Sequence, residues 1–256
     1  MTHDPMAQPV PHKVVIMARG LGTRMRKSAE GVSLTADQAA AAAAGVKAMI
    51  SLGGRPFLDY VISALADAGF DEFCLVIGPE HNVIRDYYDS CEKSRLSIVY
   101  AIQERPLGTA DAVATAEDFA GEDRVLVVNS DNFYPEDAVA RLREVPASGT
   151  LGFTKRAMIA QSNIDPERIH AFALLNSDDS GQLRDIIEKP DPHIVDAVGE
   201  TALVSMNCFL LTPTIFEACR SIEKSERGEY EIVDAVRWMV EHGERFDVVP
   251  VESGVL

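Results

Sequence analysis

Residues 14–25 read Val-Val-Ile-Met-Ala-Arg-Gly-Leu-Gly-Thr-Arg-Met, and the break inside this stretch decides the fold. Val14 to Met17 predict a buried strand. The abrupt change to Arg19-Gly-Leu-Gly-Thr-Arg24 predicts a loop at its C-terminal end. In open α/β sheets, ligands bind beyond that end of the strands. Gly20 and Gly22 lack Cβ, so the backbone can turn sharply and bring its N–H groups close to phosphate oxygens. Arg24 adds a permanent planar cation. The same stretch also suits a plain turn, and the rest of the chain has to decide between the two.

Working outward, strand and helix patterns alternate. Thr35 and Gln38 have capping-box spacing, the alanines that follow are strong helix formers, and Gly45 suits a helix stop. Pro56 opens a second helical period, with Phe57, Leu58, Val61, Ile62 and Leu65 apolar and Gly69 ending it. Residues 71–78 and 96–102 read as strands, with a helix over 81–90 between them. Thr109 is positioned to cap a helix over 110–119. Val125 to Val128 form a strand with no polar face, which suits the centre of a covered sheet. A helix over 136–143 follows. Such alternation implies βαβ units and a mostly parallel sheet. In the second half the strand-like runs 150–156, 169–176, 182–190 and 202–212 have short connections, which predicts a β-rich half on the same sheet, some of it antiparallel. Asp178-Asp179 reads as a hairpin tip. Helices over 213–219 and 230–242 and a last strand over 247–252 complete the chain.

The chain has 256 residues, 46% hydrophobic and 25% charged, with a formal net charge of -16. That charge argues against a general nucleic-acid or anionic-membrane surface. A polyanion site in so acidic a protein needs local cations, a metal ion, or both. No apolar run approaches the ~20 residues of a membrane span. Residues 1–12 are polar, lack the apolar core of a signal peptide, and read as a flexible lead-in. The cytoplasm is the expected location. Cys74, Cys91, Cys208 and Cys219 form no CxxC pair, and Cys74 and Cys208 sit in apolar runs as buried thiols.

Asp131 is the leading candidate for chemistry. It stands where an apolar strand meets a loop, a position that presents a carboxylate at the sheet edge; the alternative is a turn with Asn132. Mg²⁺ prefers oxygen ligands and is typically held by one or two carboxylates plus phosphates. Lys189 follows another apolar strand, with Pro190 fixing the exit of the chain, and Lys47 precedes a short apolar run. Each is either held in place or a solvated lysine. Gln103 offers one donor and one acceptor face, complementing the imide edge of uracil or thymine. No His pairs with a Ser or Cys in a recognisable nucleophile context.

In this order the motifs Gly20-Leu-Gly-Thr-Arg-Met25, Lys47 with Gly54-Arg-Pro56, Gln103 with Pro106-Leu-Gly-Thr-Ala110, Ser130-Asp-Asn132, Glu188-Lys-Pro190, Met206-Asn207 and Gly228-Glu-Tyr-Glu-Ile-Val-Asp234 resemble those of the sugar-1-phosphate nucleotidyltransferases. They span residues 14 to about 240. The resemblance implies a Rossmann-like mixed, mostly parallel sheet flanked by helices. It implies one domain over 13–256, with a nucleotide-binding half near 13–145 and a sugar-phosphate half near 146–256. The substrates would be an NTP and a sugar-1-phosphate, with Mg²⁺ as cofactor. The nucleotide would meet Ala18, Gly20, Leu21, Gly22, Thr23 and Arg24 at its phosphates, and Gln103, Pro106, Gly108 and Thr109 at its base. Asp131 would carry Mg²⁺. Glu188 and Asn207 would contact the sugar, Lys189 its phosphate, and Lys47 would act near the phosphates. Arg24, Lys47, Asp131 and Lys189 form the expected catalytic set. The reaction is attack of the sugar phosphate on the α-phosphorus, which needs positioning and charge neutralisation rather than a protein nucleophile. The resemblance is also compatible with a homo-oligomer.

Three departures stand out. Arg19 occupies a position where the family usually has Gly or Ala; it either adds a phosphate contact or narrows the pocket. The segment between Arg24 and Lys47 is long. No Asp follows Asp247, where many relatives supply a second metal-binding Asp. Glu252 substitutes, or one protein carboxylate suffices, or the natural chain continues. Arg19 and the missing second acid support a second reading, a catalytically silent relative that binds nucleotide or sugar phosphate as a regulatory subunit.

Overall fold

The computed structural model describes residues 9–20, 46–169, 172–188, 190–191, 193 and 198–255. The sheet is built around β1 (Lys13–Met17), whose Val14 to Ile16 are fully buried. It runs parallel to β4 (Glu72–Ile77) on one side and β6 (Val125–Asn129) on the other, with Met17 opposite Val76 and Asn129. β5 (Ser97–Ile102) continues the parallel set beyond β4. The direction changes at β10 (Leu203–Leu211), which is antiparallel to β6 and to β7 (Ser148–Thr154). β11 (Phe246–Val251) then lies parallel to β7. The order is β11-β7-β10-β6-β1-β4-β5, with the hairpin β8 (Leu174–Ser177) and β9 (Leu183–Ile187) attached through β10. A small ribbon, β2 (Ser51–Leu52) and β3 (Arg55–Pro56), stands apart from the main sheet.

Side chains alternate along a strand, so β1 feeds two cores. Val14 and Ile16 pack with α1 (Phe57–Asp67), α2 (Asn82–Ser90) and α5 (Glu136–Arg143). Val15 and Met17 pack with α3 (Thr109–Ala114), α4 (Glu117–Ala120), α8 (Thr214–Ser221) and α9 (Ile232–Glu241). This is the Rossmann-like mixed sheet with helices on both faces that the sequence led us to expect. The β8–β9 hairpin carries Asp178 at its tip, where the carboxylate accepts from the Ser180 and Gln182 N–H groups. None of the described helices is long and apolar enough to cross a membrane.

Several elements differ from expectation. The helix predicted over 110–119 is two helices, α3 and α4. Thr115 Oγ1 donates back to the Asp111 carbonyl at 2.8 Å, a contact that weakens helix continuation. Thr109 does not cap α3. Its hydroxyl instead accepts from the Ile232 N–H at 2.8 Å and so caps α9. The strand predicted over 150–156 ends at Thr154, whose hydroxyl caps a helix the periodicity missed, α6 (Lys155–Gln161). Residues 169–176 are not one strand. A short helix α7 (Pro166–Ile169) precedes them, and pairing begins only at Leu174. The alanine-rich helix predicted before Gly45 lies outside the described residues.

Candidate active site

A cleft of about 500 Å³ opens at the C-terminal ends of β1 and β6. Backbone pairing fixes its floor: the Ala18 N–H donates to the Val76 carbonyl and the Ser130 N–H to the Met17 carbonyl. Ala18, Gly20, Lys47, Gln103, Pro106, Gly108, Thr109, Asp131 and Asn207 all line it. The structure thus brings nine of the expected site residues to one place. Leu21, Gly22, Thr23, Arg24 and Lys189 lie outside the described residues. Glu188, exposed just after β9, is not among the lining residues.

Asp131 follows β6 directly, and its neighbours are anchored. The Asn132 amide and the Tyr134 hydroxyl both donate to the Met206 carbonyl, at 3.1 and 2.7 Å. Tyr134 is buried, and burial pushes its phenol well above the ordinary value, so the hydroxyl stays a neutral donor. The register of β10 shifts between Ser205 and Phe209, and within that irregularity Asn207 takes a φ of 55°. Asn tolerates this left-handed conformation better than most residues. The bulge places Asn207 on the same wall as Asp131. Lys47 begins a single 3-10 turn (Lys47–Met49), and its Nζ lies 3.5 Å from Asp131 Oδ2.

The opposite wall is the loop after β5. It is clamped from behind by the segment leading into α9: the Tyr230 N–H donates to the Leu107 carbonyl and the Ala110 N–H to the Tyr230 carbonyl. Gly108, at φ +123°, passes so close that a Cβ there would lie 2.3 Å from the Tyr230 carbonyl oxygen. Arg19 is buried and tied into this wall. It donates to the carbonyls of Gln103 and Glu104 and lies near Glu80. Of the two roles open for Arg19, the structure favours walling the pocket, since both terminal nitrogens are bonded to protein carbonyls, while its buried Nε has no hydrogen-bond partner among the described residues. Gly78 leaves the room for it, because a Cβ there would lie 2.7 Å from Arg19 Nε.

Arg227 and Glu229 also line the cleft, and sequence reasoning assigned neither to the site. The signal available was the Gly228–Asp234 motif itself, which contains Glu229 and directly follows Arg227. The described wall carries three cations, Arg19, Lys47 and Arg227, against two carboxylates, Asp131 and Glu229. Arg19 and Arg227 also face Glu80 and Glu231, at 3.5 and 3.6 Å, so in a chain of charge -16 an anion bound here would need further local positive charge, such as a metal ion. Among the described residues, no cluster of three or more His, Cys, Asp or Glu could enclose a metal by itself. Asp131 at the strand end, with water and phosphate oxygens completing the shell, would suit a hard, hydrated divalent cation. Glu252 is not on this wall. It accepts from Arg156 Nη2 at 2.7 Å, so it does not replace the second acid in this conformation.

Comparison with known proteins gives the family and the fold. The nucleotidyl transferase family model matches residues 13–252. The UTP–glucose-1-phosphate uridylyltransferase AglF of Haloferax volcanii is 29% identical over 243 residues, covering 94% of this chain and 88% of that protein. A glucose-1-phosphate thymidylyltransferase of Streptomyces griseus is 29% identical over 234 residues, covering 90% of this chain but only 58% of the relative. A UDP-glucose pyrophosphorylase solved with UDP-glucose superposes with a TM-score of 0.71 at 17% identity, over 94% of this chain and 91% of the other, a likeness of fold. The chain belongs to the nucleotidyl transferase family, among its sugar-1-phosphate nucleotidyltransferases.

Proposed function

We propose that this protein joins an NTP to a sugar-1-phosphate with Mg²⁺ assistance, releasing pyrophosphate and forming an NDP-sugar. The observation that carries the reading is the convergence of Lys47, Asp131, Asn207 and the Gln103–Thr109 loop on one cleft at the sheet edge. The sugar phosphate oxygen attacks the α-phosphorus; a P–O bond forms there, the α–β bridging bond breaks, and pyrophosphate leaves. The attacking oxygen is already ionised, so no general base is needed. Catalysis then rests on bringing two anions into line and screening their charge. Lys47 supplies a cation beside Asp131. Asp131 holds Mg²⁺, which adds positive charge at the phosphates when bound. The loop after β5 holds the base and Asn207 faces the sugar. Arg24 and Lys189 complete the phosphate contacts. On this reading residues 13–145 form the nucleotide half and 146–256 the sugar-phosphate half.

The names of the relatives point to UTP or dTTP with glucose-1-phosphate as first substrates to try. The test is a pyrophosphate-release panel of common NTPs against sugar-1-phosphates with Mg²⁺. Release with at least one pair is expected. Silence across the panel sinks the reading and favours a nucleotide-binding subunit without turnover.

A further inference from the structure

Gln103 lines the cleft, yet its side chain has little freedom left. Its Nε2 donates to the Gly108 carbonyl at 3.0 Å and to Asp111 Oδ2 at 2.7 Å. An amide nitrogen carries two hydrogens, and both are spent on protein acceptors. A carboxylate accepts and cannot donate, so flipping the amide would set Oε1 against the Asp111 carboxylate and a carbonyl. The donor face that the sequence allowed Gln103 to offer a ligand is therefore taken. Oε1 is what remains. Asp111, in the first turn of α3, does not line the cleft. The backbone of Gln103 is fixed as well, through its N–H to the Ile77 carbonyl and its carbonyl to Arg19.

We propose that Asp111 is a positioning residue for base selection: it locks the Gln103 carboxamide so that the cleft presents an acceptor to the base. An acceptor selects a ring N–H, as in uracil, thymine or guanine. It disfavours cytosine and adenine, whose corresponding ring nitrogen carries a lone pair. This selection rests on the reading of the cleft as the NTP site.

Calorimetric titration of UTP and CTP with Mg²⁺ and no sugar phosphate tests it apart from turnover. The wild type is expected to bind UTP about tenfold more tightly than CTP, the effect of one well-placed hydrogen bond against an unpaired acceptor. Asp111→Asn is isosteric but can donate, so one of the two groups that oppose a flip of the Gln103 amide is removed and only the Gly108 carbonyl still opposes it. In this variant UTP weakens while CTP gains, and the ratio falls to within about threefold. A merely structural role for Asp111 would weaken both nucleotides alike. Gln103→Met, which leaves Asp111 in place, erases the preference too and serves if the Asn variant fails to fold. An unchanged UTP:CTP ratio in both variants, or a wild type that binds CTP as well as UTP or binds neither, overturns the proposal. Selective UTP binding without pyrophosphate release in a parallel assay overturns only the transferase reading.

Discussion

Lys47 Nζ and Asp131 Oδ2 stand 3.5 Å apart across the mouth of the cleft, one from a short turn and the other from the end of β6. Their side chains are 41% and 45% exposed. A pair this open contributes only about 0–1 kcal/mol to stability. Lys47→Met is therefore expected to leave the thermal midpoint nearly unchanged while lowering pyrophosphate release by about 100-fold, the scale of removing one preorganised charge from a transition state. Calorimetry and an initial-rate assay on the same preparation separate the two effects. Normal turnover in the variant would remove Lys47 from the phosphate site.

Gly108 tests the clamp on the base loop. At φ +123° any side chain is strained, and a Cβ would collide with the Tyr230 backbone. Gly108→Ala should cost about 2–4 kcal/mol in urea unfolding, combining strain with displaced contacts. It should also weaken NTP binding, because the loop moves away from α9. An unchanged urea midpoint would mean the loop adjusts freely.

The Glu80 carboxyl is held below its ordinary value of 4.5, first by its own backbone N–H and then by Arg19 and His81. A depressed folded-state value means that the contribution to stability is fully present above about pH 4.5 and is lost as pH falls through the lower value. Glu80→Gln should therefore melt slightly below wild type at neutral pH, by about 2 °C for so exposed a group. The gap should close on acidification. Melting curves between neutral pH and pH 3 decide it, and a constant gap would deny the linkage.

Thiol labelling reads out the cores. Burial pushes Cys74 and Cys219 up to about 12 and raises Cys208 as well, so all three stay protonated and shielded at neutral pH. Cys91, partly exposed, is expected to react first with a thiol reagent in the native protein. Mass spectrometry after a short pulse should find the label there, and on all four cysteines only in denaturant. Labelling of Cys74 at the Cys91 rate would contradict the packing of β4.

Much of this was legible in the chain. Val14 to Met17 and Val125 to Val128 have no polar face, so only a sheet covered on both sides can hold them. Asp131 was visible because it sits where the second of those runs stops. What stayed hidden depends on partners distant in sequence. Thr109 caps a helix 123 residues away, which no local pattern signals. Arg19 finds its carbonyls at 103 and 104, and the donors of Gln103 are consumed by a loop carbonyl and by Asp111. Helix α6 escaped because Thr154 belongs at once to a strand and to a cap. Arg227 and Glu229 reach the cleft at the start of the Gly228–Asp234 motif, which carried the resemblance without assigning either residue a role.

The most direct measurement is pyrophosphate release from UTP or dTTP with glucose-1-phosphate and Mg²⁺, comparing the wild type with Asp131→Asn. Release by the wild type is expected, with its loss on chelation of the metal and a drop of at least about 1000-fold in a variant that still folds and melts normally. Full activity in Asp131→Asn would contradict the assignment of the metal to Asp131, and no release by the wild type with any NTP and sugar phosphate would contradict the transferase itself.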